Sequence, residues 1–161
     1  MKTRTMVSVF TFVCVALLCL AAATVSYAKT NPHMGTWKLN EAKSKIAAGA
    51  AKNHTVVYEA AGDETKVTVD GTDGDGNATH NEWTGKFDGK CYAVTGDPTT
   101  DQRCYKVVNS RKMMLTGKMG GKVTVSGVIV VSANGKTRTV TTSGTDAKGK
   151  KFRTVAMYDK Q

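Results

Sequence analysis

The sequence has little of what most catalytic and metal sites require. Its three histidines, His33, His54 and His80, show no metal-ligand spacing, and the chain contains no Cys-x-x-Cys or His-x-x-x-His pair. No serine lies in a Gly-x-Ser-x-Gly setting, and no glycine-rich phosphate loop stands between a strand and a helix. We therefore expect a protein that is not an enzyme and that holds neither a cofactor nor a metal.

One acidic segment has oxygen-bearing residues spaced like calcium ligands: Asp70, Asp73, Asp75 and Asn77. A calcium loop of the EF-hand type needs glycine after its third ligand and glutamate at its twelfth position. Counted from Asp73, these positions hold Ala78 and Thr84. The segment is instead typical of a turn, where short polar side chains bond their own backbone.

Acidic residues are scarce, with 13 Asp and Glu against 23 Lys and Arg. The basic residues are scattered, and the densest cluster is Lys148, Lys150 and Lys151. Nucleic-acid binders usually concentrate charge on one face and interleave it with stacking aromatics. The aromatic residues here occupy core-like positions of candidate strands instead: Trp37, Tyr58, Trp83 and Tyr92. We expect no specific nucleic-acid partner, and at most weak contact with anionic surfaces.

Residues 1–28 have the organisation of a signal peptide. Lys2 and Arg4 form a basic start, an apolar run follows from Met6 to about Ala23, and Ser26-Tyr27-Ala28 is a small-x-small cleavage site. An uncleaved membrane anchor is the alternative, since the apolar run is nearly long enough to span a bilayer. Cleavage leaves one domain, residues 29–161, with 21 basic and 13 acidic residues and a net charge of +8. We expect this domain to be exported to the periplasm or the medium and not to span a membrane.

The exported part is predicted to be all-β. Short runs rich in Val, Thr, Tyr and Phe alternate with Gly, Asp and Asn, which is typical of a strand meander. Two-residue turn signals stand at Asp88-Gly89 and Asn134-Gly135, with a weaker one at Lys148-Gly149. Ten strands joined by hairpins leave two exposed edges unless the sheet closes, so we predict an antiparallel up-and-down barrel. The predicted strands are 35–40, 54–60, 65–70, 78–87, 90–95, 102–108, 111–117, 122–131, 136–143 and 150–158.

The segment 41–52 does not fit the strand pattern. Asn40 can cap a short helix through its alanine-rich part, with Gly49 ending it. An irregular crossing over one barrel end fits the sequence equally well, and both interpretations stay open.

Two cysteines predict a cross-strand disulfide. Cys91 and Cys104 are equally far from the centre of a turn at Asp97-Pro98. A hairpin with a four-residue loop places them directly opposite each other on one face, with Cβ atoms about 4.5–5.5 Å apart. That separation is near the reach of a disulfide, which persists in an exported protein.

The first strand carries the stretch GTWKL, which has the Gly-x-Trp motif of the calycins. With this motif on the first strand, ten strands in all and about 130 residues, the chain from 33 to 161 resembles the lipocalins and the fatty-acid-binding proteins. The resemblance implies that Gly35 and Trp37 close one barrel end and that Arg153, on the last strand, packs over Trp37. Fatty-acid-binding proteins grip a carboxylate with an Arg-x-Tyr pair near the C-terminus. Here the matching positions hold Ala156 and Tyr158, so the arginine is missing and Arg138 on the neighbouring strand is the substitute cation.

These features predict a barrel that binds a small apolar or amphipathic molecule in its interior. The predicted ligand contacts are Tyr58, Trp83, Tyr92, Arg138 and Tyr158, although both faces of several strands carry apolar residues. The alternative is a barrel filled by its own side chains, since small barrels are often packed solid. Such a barrel would serve as a structural or protein-interaction module with no ligand.

Overall fold

The computed structural model describes residues 31–145 and 149–161, so the predicted signal peptide, 1–28, lies outside the described residues. The described chain is all-β, with ten antiparallel strands and one short 3-10 turn, as predicted. Every strand boundary lies within two residues of its prediction. The strands are β1 (Gly35–Leu39), β2 (Lys52–Ala61), β3 (Glu64–Thr72), β4 (Ala78–Gly85), β5 (Asp88–Thr95), β6 (Gln102–Asn109), β7 (Lys112–Met119), β8 (Lys122–Val131), β9 (Thr137–Thr145) and β10 (Lys151–Lys160).

The ten strands close into an up-and-down barrel. Each strand pairs with its neighbours in sequence, and β1 completes the circle by pairing with both β2 and β10. Trp37 lies at this closure, opposite Val56 on β2 and Lys160 on β10. Closure gives every strand two hydrogen-bonded partners and leaves no free sheet edge. No helix among the described residues is long and apolar enough to cross a membrane.

The turns agree with the prediction only in part. Gly135 has a positive φ of 71° in the β8–β9 connection, where the sequence placed a turn. The turn predicted at Asp88-Gly89 is wrong, because β4 ends at Gly85 and β5 already begins at Asp88. Gly89, with a φ of 87°, instead lies within β5, at an irregularity where the β5–β6 pairing shifts between Asp88 and Cys91. The connection lies at residues 86–87, where the Phe87 ring turns inward to stack on Trp83 at 6.1 Å.

The segment after β1 is mostly an irregular crossing. Its helical part is a single 3-10 turn, Glu41–Lys43, capped by the Asn40 side chain, which accepts a hydrogen bond from the Lys43 backbone N–H. Lys45 then forms an isolated bridge with Val155 on β10. Asn40 therefore caps helical backbone, but for one turn only.

The barrel has two different ends. Residues 31–34 and the connections 62–63, 86–87, 110–111 and 132–136 lie at one end, and the connections 40–51, 73–77, 96–101 and 120–121 lie at the other. Aromatic side chains pack edge to face at the first end, which we call the closed end. Trp83 contacts Tyr105 there with ring centroids 4.8 Å apart, and Phe87 contacts Tyr105 at 5.6 Å. This aromatic packing occupies the barrel interior at the closed end.

The predicted disulfide is present. Cys91 and Cys104 lie opposite each other in the β5–β6 pairing, and their Cα atoms are 4.1 Å apart. Their neighbours Arg103 and Tyr105 point into the barrel, so strand alternation places the bridge on its outer surface.

Candidate functional site

A cavity of about 490 Å³ occupies the barrel above the aromatic packing, towards what we call the open end. At the open end it is lined by the segments 46–51, 73–75 and 96–100. Its volume lies in the range of pockets that hold small molecules. The deeper apolar wall consists of Val56, Val69, Leu115, Ile129, Val140 and Ala156.

Arg138 lies at the base of this cavity. Its side chain is 2% exposed, and its guanidinium carbon lies 4.9, 5.0 and 4.7 Å from the ring centroids of Trp37, Tyr58 and Tyr158. The three rings hold the cation through their π faces. Its Nε and Nη1 atoms have no hydrogen-bond acceptor among the described residues. The cavity base therefore presents a buried positive charge with two nitrogens that lack a hydrogen-bond acceptor among the described residues.

A second arginine in the cavity wall has a carboxylate partner. Arg103 Nη2 donates to Asp97 Oδ2 at 3.0 Å and to Asn81 Oδ1 at 3.1 Å. Asp97 in turn accepts hydrogen bonds from Thr99 and Thr100 in its own loop. Burial opposes ionisation of Asp97, but these bonds and the Arg103 charge outweigh it and lower the pKa of the carboxyl group. Of the two arginines in the cavity wall, Arg103 thus has a carboxylate partner and Arg138 has none among the described residues.

Phenol groups surround the base of the cavity. Tyr58, Tyr105 and Tyr158 line it, and all three are buried. Burial raises the pKa of Tyr158 to about 12 and also raises the pKa of Tyr105. These two phenols are therefore neutral at pH 7 and are able to donate a hydrogen bond to an anion. Neither supplies the negative charge that would neutralise Arg138.

Trp37 closes the barrel beneath Arg138. It is fully buried, and its Nε1–H donates to the His33 carbonyl oxygen at 2.9 Å. Lys160 covers the indole with its Nζ atom 5.1 Å from the ring centroid. At the start of β1, Gly35 adopts a φ of 98°, which favours glycine.

The prediction that Arg153 packs over Trp37 is wrong. Arg153 is exposed and pairs with Ser143, whereas Trp37 pairs with Lys160, seven residues further along β10. Seven strand residues span roughly 23 Å. Arg138 on β9 takes the position over the indole instead.

The predicted ligand contacts divide into two groups. Tyr58, Arg138 and Tyr158 line the cavity, whereas Trp83 and Tyr92 do not. Trp83 is buried in the closed-end packing, and its Nε1–H donates to the Arg103 carbonyl oxygen at 2.8 Å. Tyr92 packs edge-on against Trp83, and its hydroxyl donates to Asp88 at 3.1 Å. Both aromatics support the floor below the cavity rather than its wall.

Sequence reasoning missed Tyr105 and Arg103 as cavity residues. A signal for both was present, because they flank Cys104. Once Cys104 is assigned to the outer face, alternation turns residues 103 and 105 inward.

The acidic segment before β4 forms a turn in which Asp73 bonds the backbone that follows it. Asp73 Oδ1 accepts hydrogen bonds from the backbone N–H groups of Asp75 and Asn77, both at 2.9 Å. Within 31–145 and 149–161, no three histidine, cysteine or acidic side chains are grouped so that they could hold a metal ion.

The cavity is thus chemically polarised. An uncompensated guanidinium and neutral phenols lie at its base, and aliphatic side chains line its wall. Comparison of the sequence with protein-family models and with curated proteins finds no match. The chemistry of the cavity is therefore the basis for the functional assignment.

Proposed function

We propose that this chain is an exported, lipocalin-like carrier that binds a small amphipathic anion inside its barrel. The anionic group of the ligand contacts Arg138 at the cavity base, and its apolar part lies against the aliphatic wall. The observation that carries the proposal is the Arg138 side chain, which is 2% exposed and leaves two nitrogens without acceptors among the described residues.

Charge compensation is the first argument. A buried cation without a counter-charge is unfavourable, because the protein interior solvates it less well than water does. A carboxylate, sulfate or phosphate group at the cavity base would supply both the charge and the acceptors that are missing. Guanidinium groups are well suited to this contact, since their N–H groups match two oxygens of one anion.

The wall supplies the second argument. Residues such as Val69, Ile129 and Val140 offer no hydrogen bonds, so the part of the ligand beside them must be apolar. Burial of ligand surface there contributes about 25 cal/mol per Å². The Gly-x-Trp motif and the signal-like leader are the sequence features that favour a carrier of the calycin type acting outside the cytoplasm.

Two dyes of similar shape test the proposal. Anilinonaphthalene sulfonate is an anionic amphiphile, and phenylnaphthylamine is a related neutral one. Both fluoresce more strongly on entering an apolar site. The test compares residues 29–161, which include all ten strands, with Arg138→Gln and with the exposed control Arg153→Gln.

We expect Arg138→Gln to weaken binding of the sulfonate at least tenfold, the usual range for loss of a hydrogen bond to a charged group. Binding of the neutral dye should change less than about threefold, and Arg153→Gln should bind both dyes as the parent does. Equal loss of both dyes in Arg138→Gln would contradict the anionic specificity. If the folded parent bound neither dye, the proposal would be overturned in favour of a structural or interaction module.

A further inference from the structure

Charge is segregated between the two sides of the barrel. From Gln102 to Thr145 the sequence has no aspartate or glutamate, although it contains eight lysines and arginines. This stretch forms β6 to β9, so all 13 acidic residues lie elsewhere. Arg103 and Arg138 face the cavity. The other six basic residues are on the outside: Lys106, Arg111, Lys112, Lys118, Lys122 and Lys136.

Exposed apolar residues are concentrated on the same side. Every large apolar side chain that is exposed in the described part of the chain lies in β6, β7 or β8. The most exposed are Val123 at 59%, Val108 at 51%, Met114 at 49%, Val107 at 45% and Val130 at 42%. Single exposed apolar side chains are common on protein surfaces. Their concentration on one side of the barrel, however, is typical of a contact surface.

The lysines and the apolar side chains alternate across the strands. Lys106 lies opposite Met114, Lys112 opposite Val130 and Lys118 opposite Val123. Directly opposed residues on one face have Cβ atoms about 4.5–5.5 Å apart. We call these six residues the lysine wall.

The lysine wall differs from the opposite side of the barrel, where lysines are paired with carboxylates. Lys52 contacts Glu41 and Lys66 contacts Glu82, each at 2.6 Å, and Lys86 contacts Asp63. None of the ion pairs among the described residues involves a lysine of the lysine wall. Its ammonium groups are therefore available to an external anionic partner.

We propose that the lysine wall docks on a bilayer containing anionic phospholipids. Basic residues near such a surface are attracted to the lipid phosphates, and apolar side chains beside them enter the interfacial region. Like charges oppose contact of this wall with a second copy of itself. The outward side chains of the wall include no aromatic residue for stacking on nucleic-acid bases.

Docking through the lysine wall places the cavity entrance next to the bilayer surface. The β7–β8 connection, residues 120–121, lies at the open end, and Thr124 and Val125 just beyond it line the cavity. Met119 and Val123, on either side of this connection, are exposed. The bilayer thus meets the barrel beside the entrance of the cavity. The docking itself requires no bound ligand and is separable from the ligand-binding proposal.

Flotation with vesicles tests the proposal on residues 29–161. One set of vesicles contains phosphatidylcholine alone, and the other contains phosphatidylcholine mixed with phosphatidylglycerol. The wall variant is Lys106→Gln/Lys112→Gln. The matched control is Lys38→Gln/Lys43→Gln, which removes the same charge from β1 and the 3-10 turn, far round the barrel. A third variant, Met114→Thr/Val130→Thr, keeps the charge and removes the apolar tips.

We expect the parent to bind only the anionic vesicles and to be released by high salt. Each lysine at such a surface contributes roughly a fivefold factor in affinity, so the wall variant should bind about 25-fold more weakly. The control should change less than about threefold, and the threonine variant should bind anionic vesicles several-fold more weakly.

Equal losses in the wall variant and the control would overturn the proposal, because they would show a response to net charge alone. Failure of the parent to bind anionic vesicles would also overturn it. So would self-association of the parent that Met114→Thr/Val130→Thr abolishes, because the wall would then be an interface between two copies. Circular dichroism of all variants verifies that they are folded.

Discussion

The indole N–H of Trp37 donates to the backbone carbonyl of His33 at 2.9 Å, and this contact places an imidazole under the barrel floor. The His33 side chain is 1% exposed, and neither ring nitrogen has a hydrogen-bond partner among the described residues. Burial and the nearby charges of Arg138 and Lys160 lower the pKa of His33 from 6.5 to about 4. The ring is therefore neutral in the native protein at neutral pH.

Acid should destabilise the barrel through His33. Between pH 6.5 and pH 4 the unfolded chain binds a proton on this residue that the folded chain does not. Stability therefore falls as the pH falls through this window, by at most about 1.4 kcal/mol per pH unit. Urea unfolding at about pH 7 and pH 4.5 measures the loss, and His33→Gln should reduce it. His54→Gln, which changes a half-exposed ring elsewhere in the barrel, is the control substitution.

Replacing Arg138 should separate binding from stability. Arg138→Met removes a buried charge without a counter-ion and leaves a flexible apolar side chain that packs against the same rings. We expect the melting temperature of the ligand-free protein not to fall, although binding of the anionic dye is lost. Arg103→Met is the contrasting variant, because it leaves Asp97 buried without its cation. Its melting temperature should fall by more than about 5 °C in a calorimetric scan.

Asp97 should be the most sensitive carboxylate of the barrel rim. Asp97→Ala removes the counter-charge of Arg103 and the acceptor for Thr99 and Thr100. We expect a loss of about 3 kcal/mol in the free energy of unfolding. Asp63→Ala breaks an exposed pair with Lys86 and should lower the free energy of unfolding far less, because water screens that pair. Similar effects of the two substitutions in urea unfolding would contradict this ranking.

The disulfide should affect stability but not the cavity. Removing a bridge that closes a loop of this length lowers the free energy of unfolding by about 3 kcal/mol. The double variant Cys91→Ala/Cys104→Ala should show this loss in urea unfolding. It should still bind both dyes, because the bridge lies on the outer surface. Loss of dye binding by the folded double variant would show that the bridge shapes the interior.

The strands and the disulfide were predictable because each depends on local information. The alternation of β-branched residues with glycine and aspartate marks the strands, and counting from a turn pairs Cys91 with Cys104. The turn at Asp88-Gly89 was mispredicted, because a glycine with positive φ is found in β-bulges as well as in hairpin turns. There the burial of Phe87 decides the position of the connection.

The site was predictable only in part, because it depends on long-range geometry. Arg153 was the residue predicted to cover Trp37, whereas Arg138 was predicted as a ligand cation. Arg153 shares its strand face with the apolar Val155 and Met157. Alternation alone does not show which face is inward on β10. Trp83 does point into the barrel, as expected. Its position along the barrel axis, however, depends on how the strands are staggered, and short sequence patterns do not reveal that stagger.

The calycin resemblance and the export signal remain predictions from the sequence. The closed, antiparallel, ten-stranded barrel agrees with the predicted fold class, which many barrels of different function share.

The barrel interior is packed towards the closed end and hollow towards the open end, and this division affects how the sequence is able to vary. Substitutions at Val69, Val140 or Leu115 alter the shape of the chamber while the stacked rings beneath keep the fold in place. If the proposed function holds, substitutions in the cavity wall would change which ligands fit while the aromatic packing at the closed end preserves the fold.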